Sequence, residues 1–379
     1  AFQVEVARRQ GIEIVGAGLW LLNPTYVRGL ALVPRELLVP IDRTTETQAL
    51  AAGTRVEIDR QLALRDCHDV PAATPGPQCK GHRAAADGDR PSSCGQLAAD
   101  GYCGQRLPEA WVGTLPRLTP AKWGLFASRE ISAIPEIELE SQGESWTELQ
   151  HRVITAVQER RPIVDRPALR AMLDRLEWPV AYVDFEFDPG MAIPRYPGMR
   201  PYERLPFQWS MHVQYEPNGP LERPDPFLHV DATDPRRAFL ESLLGALPDR
   251  GSVVVHFQPA EKTVLLQLAA AFGAPDQDRI TGVVARLYDT LQLLRAGYYH
   301  PGQGGSYSIK KVAPVLAGRG YDDLRVQDGM AAVAAWKRLV AAGTPQTEKA
   351  AVAADLRAYC GRDTELLHAL VEAVRQLVA

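Results

Sequence analysis

The sequence lacks long hydrophobic runs, a secretory signal pattern and a dense set of cysteines. The longest apolar stretches, such as residues 263–274, are too short to span a bilayer, so we expect no membrane partner. Five cysteines in a chain of 379 residues do not resemble a secreted disulfide framework. A reducing cytoplasm is therefore the expected location.

The sequence also lacks a strong charge of either sign. Its net charge of −4 gives no overall basic footprint, so a nucleic-acid-binding protein of this composition would need local basic clusters or bound metal. Apolar residues at 46% and charged residues at 23% are ordinary for globular proteins. The length allows two domains, each with its own core.

Composition divides the chain into three parts. Residues 1–145 begin with "AFQVEVARRQG", which reads as the middle of a helix, and continue into a predicted strand within 12–22. We therefore expect a smaller, incomplete α/β module whose upstream part is missing. It contains a cysteine-rich insertion at 66–106 with almost no apolar periodicity. Residues 146–179 predict a linker of two helices, and residues 180–379 form an alternating α/β pattern.

The α/β part contains a pair of acids in "YVDFEF", residues 182–187. Side chains alternate between the faces of a strand, so Asp184 and Glu186 should project from one face roughly 6–7 Å apart. Two adjacent carboxylates repel each other unless a positive charge lies between them. The pattern around them predicts strands and helices at these positions: strands 180–186, 207–215, 227–231, 252–257 and 283–289, and helices from Asp234, at 259–272, at about 328–341 and at 346–378.

Further acids follow on two of these helices. Glu261 begins the helix after strand 252–257, where sites are built in α/β sheets, although a helix dipole alone also favours an acid there. Tyr359 and Asp363 share one face of the last helix, four residues apart. Asp363 lies near the apolar side and would need a cation or hydrogen bonds; the alternative is a surface position beside Arg362.

This ordered set resembles the DEDDy branch of the DnaQ-like 3′–5′ exonucleases. Asp-x-Glu stands on a first strand, an acid begins a later helix, and Tyr-x-x-x-Asp stands on the last helix. The phrases "IPRYPGMRPYERLPFQWSMHV", "GSYSIKKVAPVL" and "YCGRDT" resemble an uncharacterised bacterial family in that clan. The resemblance covers residues 180–379 and implies an RNase H-like mixed sheet flanked by helices. One departure is "HFQPAE", which has Glu261 but no preceding Asn.

The resemblance also implies a chemistry. Two Mg²⁺ or Mn²⁺ ions would be held by four carboxylates, those of Asp184, Glu186, Glu261 and Asp363. Tyr359 would orient the attacking water, and a single-stranded 3′ end of DNA or RNA would release nucleoside 5′-monophosphates. DNA repair or defence is one interpretation of its setting, and the sequence does not identify a pathway.

Substrate contacts are predicted around two segments. Lys310 and Lys311, with Ser306 nearby, begin a helix that suits phosphate binding, and a capped helix with solvated lysines is the alternative. Arg200 lies on a loop in which arginines and tyrosines are interleaved, a composition that suits binding of single-stranded nucleic acid. The alternative is that this loop is an ordinary surface loop. Asp289 is predicted to cap a helix.

The front part holds a candidate second metal site. No standard zinc finger has the spacing of the four cysteines in this part, Cys67, Cys79, Cys94 and Cys103. With the sequence that follows them, three of these cysteines resemble the C-terminal part of RecB-like (PD-(D/E)XK) nucleases that carry an iron–sulfur cluster. An iron–sulfur cluster, Zn²⁺ and no metal all stay open as interpretations.

Two other functions compete with the exonuclease. One is a catalytically weak or inactive RNase H-like scaffold that binds nucleic acid; the missing Asn favours it, and the intact Asp184, Glu186, Tyr359 and Asp363 oppose it. The other is a metal-dependent nucleotide phosphohydrolase. Hydrolysis of a nucleic-acid polymer rather than of a mononucleotide would exclude this second function.

Overall fold

The structure is a computed structural model that describes residues 1–65, 108, 110–140 and 145–379. These residues form two compact units. The first contains residues 1–65 and Gly190–Glu203, and the second contains the described residues from 108 to 189 and Arg204–Ala379. Residues 146–179, which the sequence predicts as a linker, lie in the second unit.

The first unit combines a two-stranded antiparallel sheet with helices. Only the end of the predicted strand within 12–22 is extended in the structure, and its Gly18 pairs with Asp42. Glu5 of the first helix is buried and lies 3.7 Å from Arg9 and 3.9 Å from Arg55 of the third helix. The elements of this unit are α1 (Phe2–Arg9), β1 (Gly18–Leu22), α2 (Pro34–Leu37), β2 (Leu38–Asp42) and α3 (Thr44–Arg65).

The second unit alternates strands and helices. Its helices are α4 (Pro120–Ser128), α5 (Glu148–Glu159), α6 (Arg166–Leu173), α7 (Arg236–Ala246), α8 (Pro259–Phe272), α9 (Asp276–Ala285), α10 (Thr290–Gly297), α11 (Ile309–Ala317), α12 (Gly329–Leu339) and α13 (Gln346–Val378), with short 3₁₀ turns at Val112–Thr114, Ile134–Glu136 and Pro301–Gln303. Its strands are β3 (Ile163–Val164), β4 (Val180–Asp188), β5 (Leu205–Gln214), β6 (Leu221–Glu222), β7 (Phe227–Leu228), β8 (Ser252–Val255), β9 (Leu287–Asp289) and β10 (Tyr298–Tyr299).

A six-stranded mixed sheet forms the centre of the second unit. The strand order is β6-β5-β4-β8-β9, and β7 pairs with β5 outside this path. The acid-bearing strand β4 is central, antiparallel to β5 and parallel to β8, which is in turn parallel to β9. Helices flank the sheet. The predicted α/β class, a mixed sheet with flanking helices, is therefore confirmed.

Alternation along β4 assigns its side chains to two different surroundings. Val183 and Phe185 belong to the apolar core that α7, α8 and α9 cover. The intervening residues face the opposite side, where α13 packs against β4 and β5. There Tyr182 meets the ring of His368 of α13 at 5.2 Å. Asp184 is on this second face because it lies two residues from Tyr182.

The face of β5 towards α13 is polar, and two of its side chains are hydrogen-bonded to α13. Gln208 donates to the carbonyl oxygen of Leu356 at 2.9 Å, and His212 is hydrogen-bonded to Thr364 at 2.8 Å. Buried polar groups cost free energy unless they are paired. These bonds therefore fix α13 over the two central strands.

The predicted strand 283–289 is wrong in its first half. Residues up to Ala285 belong to α9, and only Leu287–Asp289 is extended. Ile280 and Val283 are three residues apart and both buried in the core against α8, which is helical spacing. Packing here overrides the strand preference of two adjacent valines.

Two other predicted strands are shorter in the structure: 227–231 is extended only at Phe227–Leu228, and 252–257 ends at Val255. The helices predicted at 259–272 and 346–378 have those bounds. The helix predicted from Asp234 begins at Arg236, whose backbone N–H donates to the Asp234 carboxylate at 3.1 Å. Within the described ranges, no helix combines the length and the apolar character needed to cross a membrane.

Candidate metal centre

Two acids of β4 lie on the face of the sheet that α13 covers. Asp184 and Glu186 pair in register with Ser210 and Gln208 of β5, so they share the polar face of that strand. Glu186 is buried. Both acids line a cleft of 460 Å³. The strand thus presents the two predicted ligands to one cavity, as alternation requires.

Asp188, the third acid of β4, has different surroundings. The pairing register shifts between Glu186 and Phe187, which interrupts the regular alternation. Asp188 is buried and forms an ion pair with Lys337 of α12 at 2.7 Å. It does not belong to the cleft lining. Its charge is therefore compensated, and it serves as a natural comparison for the other two acids.

The last helix contributes Tyr359 and Asp363. Both residues are buried and line the same cleft as Asp184 and Glu186. Leu356, three residues before Tyr359 and seven before Asp363, is also buried. This spacing puts the three side chains on one face of α13, which is the face turned towards the sheet. The prediction that Asp363 lies on the buried side is confirmed, and a surface position beside Arg362 is excluded.

Glu261 lies near the cluster but does not line the cleft. It stands in the first turn of α8, directly after β8, and is 3% exposed. Its charge is close enough to raise the pKa of both Asp184 and Glu186. The structure therefore brings Glu261 into electrostatic contact with the other acids without making it part of the cleft wall.

Burial makes the cluster hard to ionise. It raises the pKa of Asp184 and of Glu186 well above their ordinary values, and the charge of Asp363 raises both further. Burial also raises the pKa of Glu261 to about 8 and that of Asp363 to about 6. Lys310 opposes these shifts at Glu186 and Asp363, Arg362 also opposes the shift at Asp363, and Arg204 opposes the shift at Glu261. The pKa of all four carboxyl groups is nevertheless raised, so these cations do not offset the effect of burial.

The donor set fits a divalent cation. Oδ2 of Asp363 and Oε2 of Glu261 are buried and have no hydrogen-bond partner among the described residues. An unpaired buried carboxylate oxygen costs free energy, and hard cations such as Mg²⁺ and Mn²⁺ are bound by such oxygens. Bound cations would offset the cost of burying these carboxylates and, at Asp184 and Glu186, the repulsion from neighbouring acids.

Tyr321 is a member of the site that the sequence did not reveal. Its hydroxyl donates to Oδ1 of Asp363, and its ring centroid is 5.9 Å from that of Tyr359. The ammonium nitrogen of Lys310 lies 5.5 and 5.4 Å from the two ring centroids, a cation–π arrangement. Tyr321 stands between α11 and α12, where no periodic pattern could signal it.

Cys360 was also missed, although it stands between the two predicted residues of "YCGRD". Its Sγ is 3.8 Å from Oδ2 of Asp184, and the ligand atoms of Asp184, Glu186 and Cys360 lie within 4.8 Å of one another. Burial, and next the charge of Asp184, raise the pKa of the thiol. The neutral S–H is thus a hydrogen-bond donor to Asp184 rather than a thiolate ligand.

Two further aspartates near the site are helix caps. Asp289 accepts hydrogen bonds from the backbone N–H groups of Leu291 and Phe257, both at 2.9 Å, so the predicted cap is confirmed. Asp328 lines the cleft but accepts from the backbone N–H of Ala331 at 2.8 Å. Both carboxylates are therefore engaged locally.

The residues predicted to contact nucleic acid lie in different parts of the structure. Lys310 lines the cleft, whereas Lys311 is exposed and does not line it. Ser306 lines a different cavity of the same unit. Arg200 belongs to the first unit, where its backbone N–H donates to Glu203 at 2.8 Å. An exposed apolar residue, Met330, forms part of the cleft wall instead.

The candidate second metal site lies outside the described residues. This applies to all four of its cysteines, Cys67, Cys79, Cys94 and Cys103. The iron–sulfur, zinc and metal-free interpretations of that segment stay predictions.

A comparison with protein-family models matches residues 181–308 to a domain of unknown function, DUF2779. Asp184, Glu186 and Glu261 fall within the matched region, while Tyr359 and Asp363 lie beyond it. Neither the curated proteins nor the solved structures contain a match to this chain.

Proposed function

We propose that the second unit is a metal-dependent 3′–5′ exonuclease of the DnaQ-like DEDDy type. The observation that carries the proposal is the convergence of Asp184, Glu186 and Asp363 with Tyr359 in one cleft. These residues are far apart in the sequence but have the order of the motifs. The mixed sheet with the acid-bearing strand at its centre supports an RNase H-like fold.

The acids would hold two Mg²⁺ or Mn²⁺ ions. Asp184, Glu186 and Asp363 are the proposed ligands in the cleft, and Glu261 is a fourth acid close by. When bound, such a pair of ions activates a water and stabilises the leaving 3′-oxygen during in-line attack on phosphorus.

Tyr359 would position the attacking water. Burial, and then the charges of Asp363 and Glu186, raise the pKa of its phenol, so the hydroxyl stays protonated. A protonated phenol can donate or accept a hydrogen bond but cannot act as a general base near neutral pH. Its role is therefore orientation.

The remaining cleft residues suit a nucleotide. Lys310 contributes a positive charge beside the acids, where a scissile phosphate would lie. Phe187, Ile309 and Met330 give the wall apolar surface against which a terminal sugar and base can pack. The expected substrate is the 3′ end of a single strand of DNA or RNA.

A second candidate function is a nucleic-acid-binding scaffold with weak or no turnover. It is favoured by the position of Glu261, which is not part of the cleft wall. Such a protein would bind single strands and divalent ions without shortening the strand.

The test uses 5′-labelled single-stranded DNA and RNA with Mn²⁺. We expect a ladder that shortens from the 3′ end, 5′-monophosphate products, and no cleavage by Asp184→Asn or Asp363→Asn. Asp188→Asn is the matched control because this acid is on the same strand but pairs with Lys337 outside the cleft. Binding without a ladder would support the scaffold instead, and a ladder that persists in Asp184→Asn would refute the site.

A further inference from the structure

A second cavity of 370 Å³ lies in the same unit as the acid cleft. Two chain segments line it, residues 111–118 and Gly304–Tyr307, together with Leu149 and Arg295. Arg117 and Arg295 are the charged side chains among the described residues of this lining, and no acid is among them. A polar cavity with cations alone selects an anionic ligand.

The two segments are held tightly against each other. Gly305 has φ +79°, and a Cβ atom there would lie 2.0 Å from the carbonyl oxygen of Thr114, so only glycine fits. The hydroxyl of Tyr299 accepts a hydrogen bond from the Gly305 N–H at 2.8 Å, and Gln303 donates to the Ser306 carbonyl oxygen at 3.1 Å. The cavity is therefore built by a fixed backbone rather than by loose loops.

Arg295 has hydrogen-bonding capacity that the described residues do not use. Its Nε is buried and has no partner among them, and its guanidinium lies 5.7 Å from the ring centroid of Tyr307. Arg152 fixes the backbone beneath it by donating to the carbonyl oxygens of Arg295 at 2.5 Å and of Ala296 at 2.9 Å. Arg295 lines the cavity, and a guanidinium group presented to a cavity matches a phosphate well.

Ser306 adds a hydroxyl donor to the lining. Its Oγ accepts a hydrogen bond from the backbone N–H of Ser308 at 3.2 Å, which leaves the hydroxyl hydrogen available for a ligand oxygen. Ser306, which the sequence predicts as a phosphate contact, therefore lines this cavity and not the acid cleft.

The cavity and the acid cleft share a short stretch of chain. Gly304–Tyr307 lines the cavity, and Ile309 and Lys310 line the cleft. His256, which also lines the cleft, is hydrogen-bonded to the carbonyl oxygen of Tyr307 at 2.9 Å. Five residues separate Gly305 from Lys310, so their Cα atoms are at most about 18 Å apart. At ~3.4 Å per nucleotide this corresponds to at most about five nucleotides.

We propose that this cavity is a phosphate subsite for the backbone of the strand whose 3′ end lies in the acid cleft. The inference rests on the proposed function, because it assigns the cavity to the same substrate. Arg295 and Ser306 hold one phosphodiester group there, and the exposed Arg117 adds positive charge to the lining. The subsite therefore makes binding depend on strand length beyond the terminal nucleotides.

The test measures the affinity of fluorescein-labelled single strands of 3 and 10 nucleotides by anisotropy in EDTA. Arg295→Gln should weaken binding of the 10-mer about tenfold, as for a lost charge-assisted bond. It should leave the 3-mer unchanged, and the salt slope for the 10-mer should fall by about 0.7. Arg117→Gln should weaken the 10-mer less. Arg325→Gln controls for net charge, since Arg325 is 81% exposed and lines neither cavity.

Three outcomes would overturn the proposal. The first is that Arg295→Gln weakens binding of both lengths equally, and the second is that neither Arg295→Gln nor Arg117→Gln weakens binding of the 10-mer. The third is that inorganic phosphate competes for binding only when Arg295 is present, while Arg295→Gln leaves the affinity for the 10-mer unchanged. The last result would mark the cavity as a site for free phosphate. Melting followed by circular dichroism checks that Arg295→Gln folds, and the exposed Arg117 supplies a variant with little risk to the fold. Because the assay needs no metal and no cleavage, it remains informative if the exonuclease proposal fails.

Discussion

Replacing Glu261 by glutamine should stabilise the metal-free protein at alkaline pH. Glu261 is 3% exposed, its Oε2 is unpaired within the described part of the chain, and burial raises its pKa from 4.5 to about 8. At ~1.4 kcal/mol per pKa unit, this shift corresponds to about 5 kcal/mol of free energy of unfolding. Glutamine has nearly the same shape and carries no charge that must be buried.

The sign follows from proton binding. The folded state holds the proton of Glu261 more tightly than the unfolded state, so stability is full below about pH 4.5 and is lost as the pH rises to about 8. Asp184 and Glu186 add to this loss in both proteins, since the pKa of each is also raised. The difference between wild type and Glu261→Gln isolates the contribution of Glu261.

Urea unfolding in EDTA at pH 5, 7 and 9 measures this difference. We expect the variant and the wild type to differ little at pH 5, and the variant to be more stable by up to about 5 kcal/mol at pH 9. Glu241→Gln is the control, because Glu241 of α7 is exposed and should follow the wild type at every pH. Parallel pH profiles for wild type and Glu261→Gln would refute the reasoning.

Three further substitutions test other parts of the structure. Tyr321→Phe removes the hydroxyl that donates to Asp363 and should weaken Mn²⁺ binding about tenfold; unchanged affinity in a calorimetric titration would contradict this role. Tyr359→Phe should lower kcat by a factor of about 100 or more with little change in KM, and a change in KM alone would point to substrate binding instead. Trp336→Ala removes a fully buried ring stacked on Phe207 at 4.5 Å and should cost about 3–5 kcal/mol in urea unfolding, whereas a loss below about 1 kcal/mol would show that the cavity collapses.

The central elements of the second unit were predictable because their patterns are local. Strand β4 alternates between the core and the α13 face, and α8 begins at Pro259 after a clear apolar strand. The alternation of β4, with the long amphipathic α13, brings Asp184, Glu186 and Asp363 to the same side of the sheet. The sequence therefore sufficed for most of the acid cluster.

Other parts of the site depend on tertiary contacts that no local pattern encodes. Tyr321 reaches Asp363 from a segment without periodicity. Asp188 looks equivalent to Asp184 in the sequence, and only the register shift and Lys337 distinguish it. Ser306 and Lys310 are neighbours in the chain yet line different cavities, because the chain between them passes from one to the other.

The most direct test of the metal centre is a calorimetric titration of Mn²⁺ into the protein. We expect binding of about two ions per chain in the wild type, loss of binding in Asp184→Asn, and retention in Asp188→Asn. A wild type that binds no Mn²⁺, or an Asp184→Asn variant that binds it as tightly as the wild type, would refute the proposed metal centre.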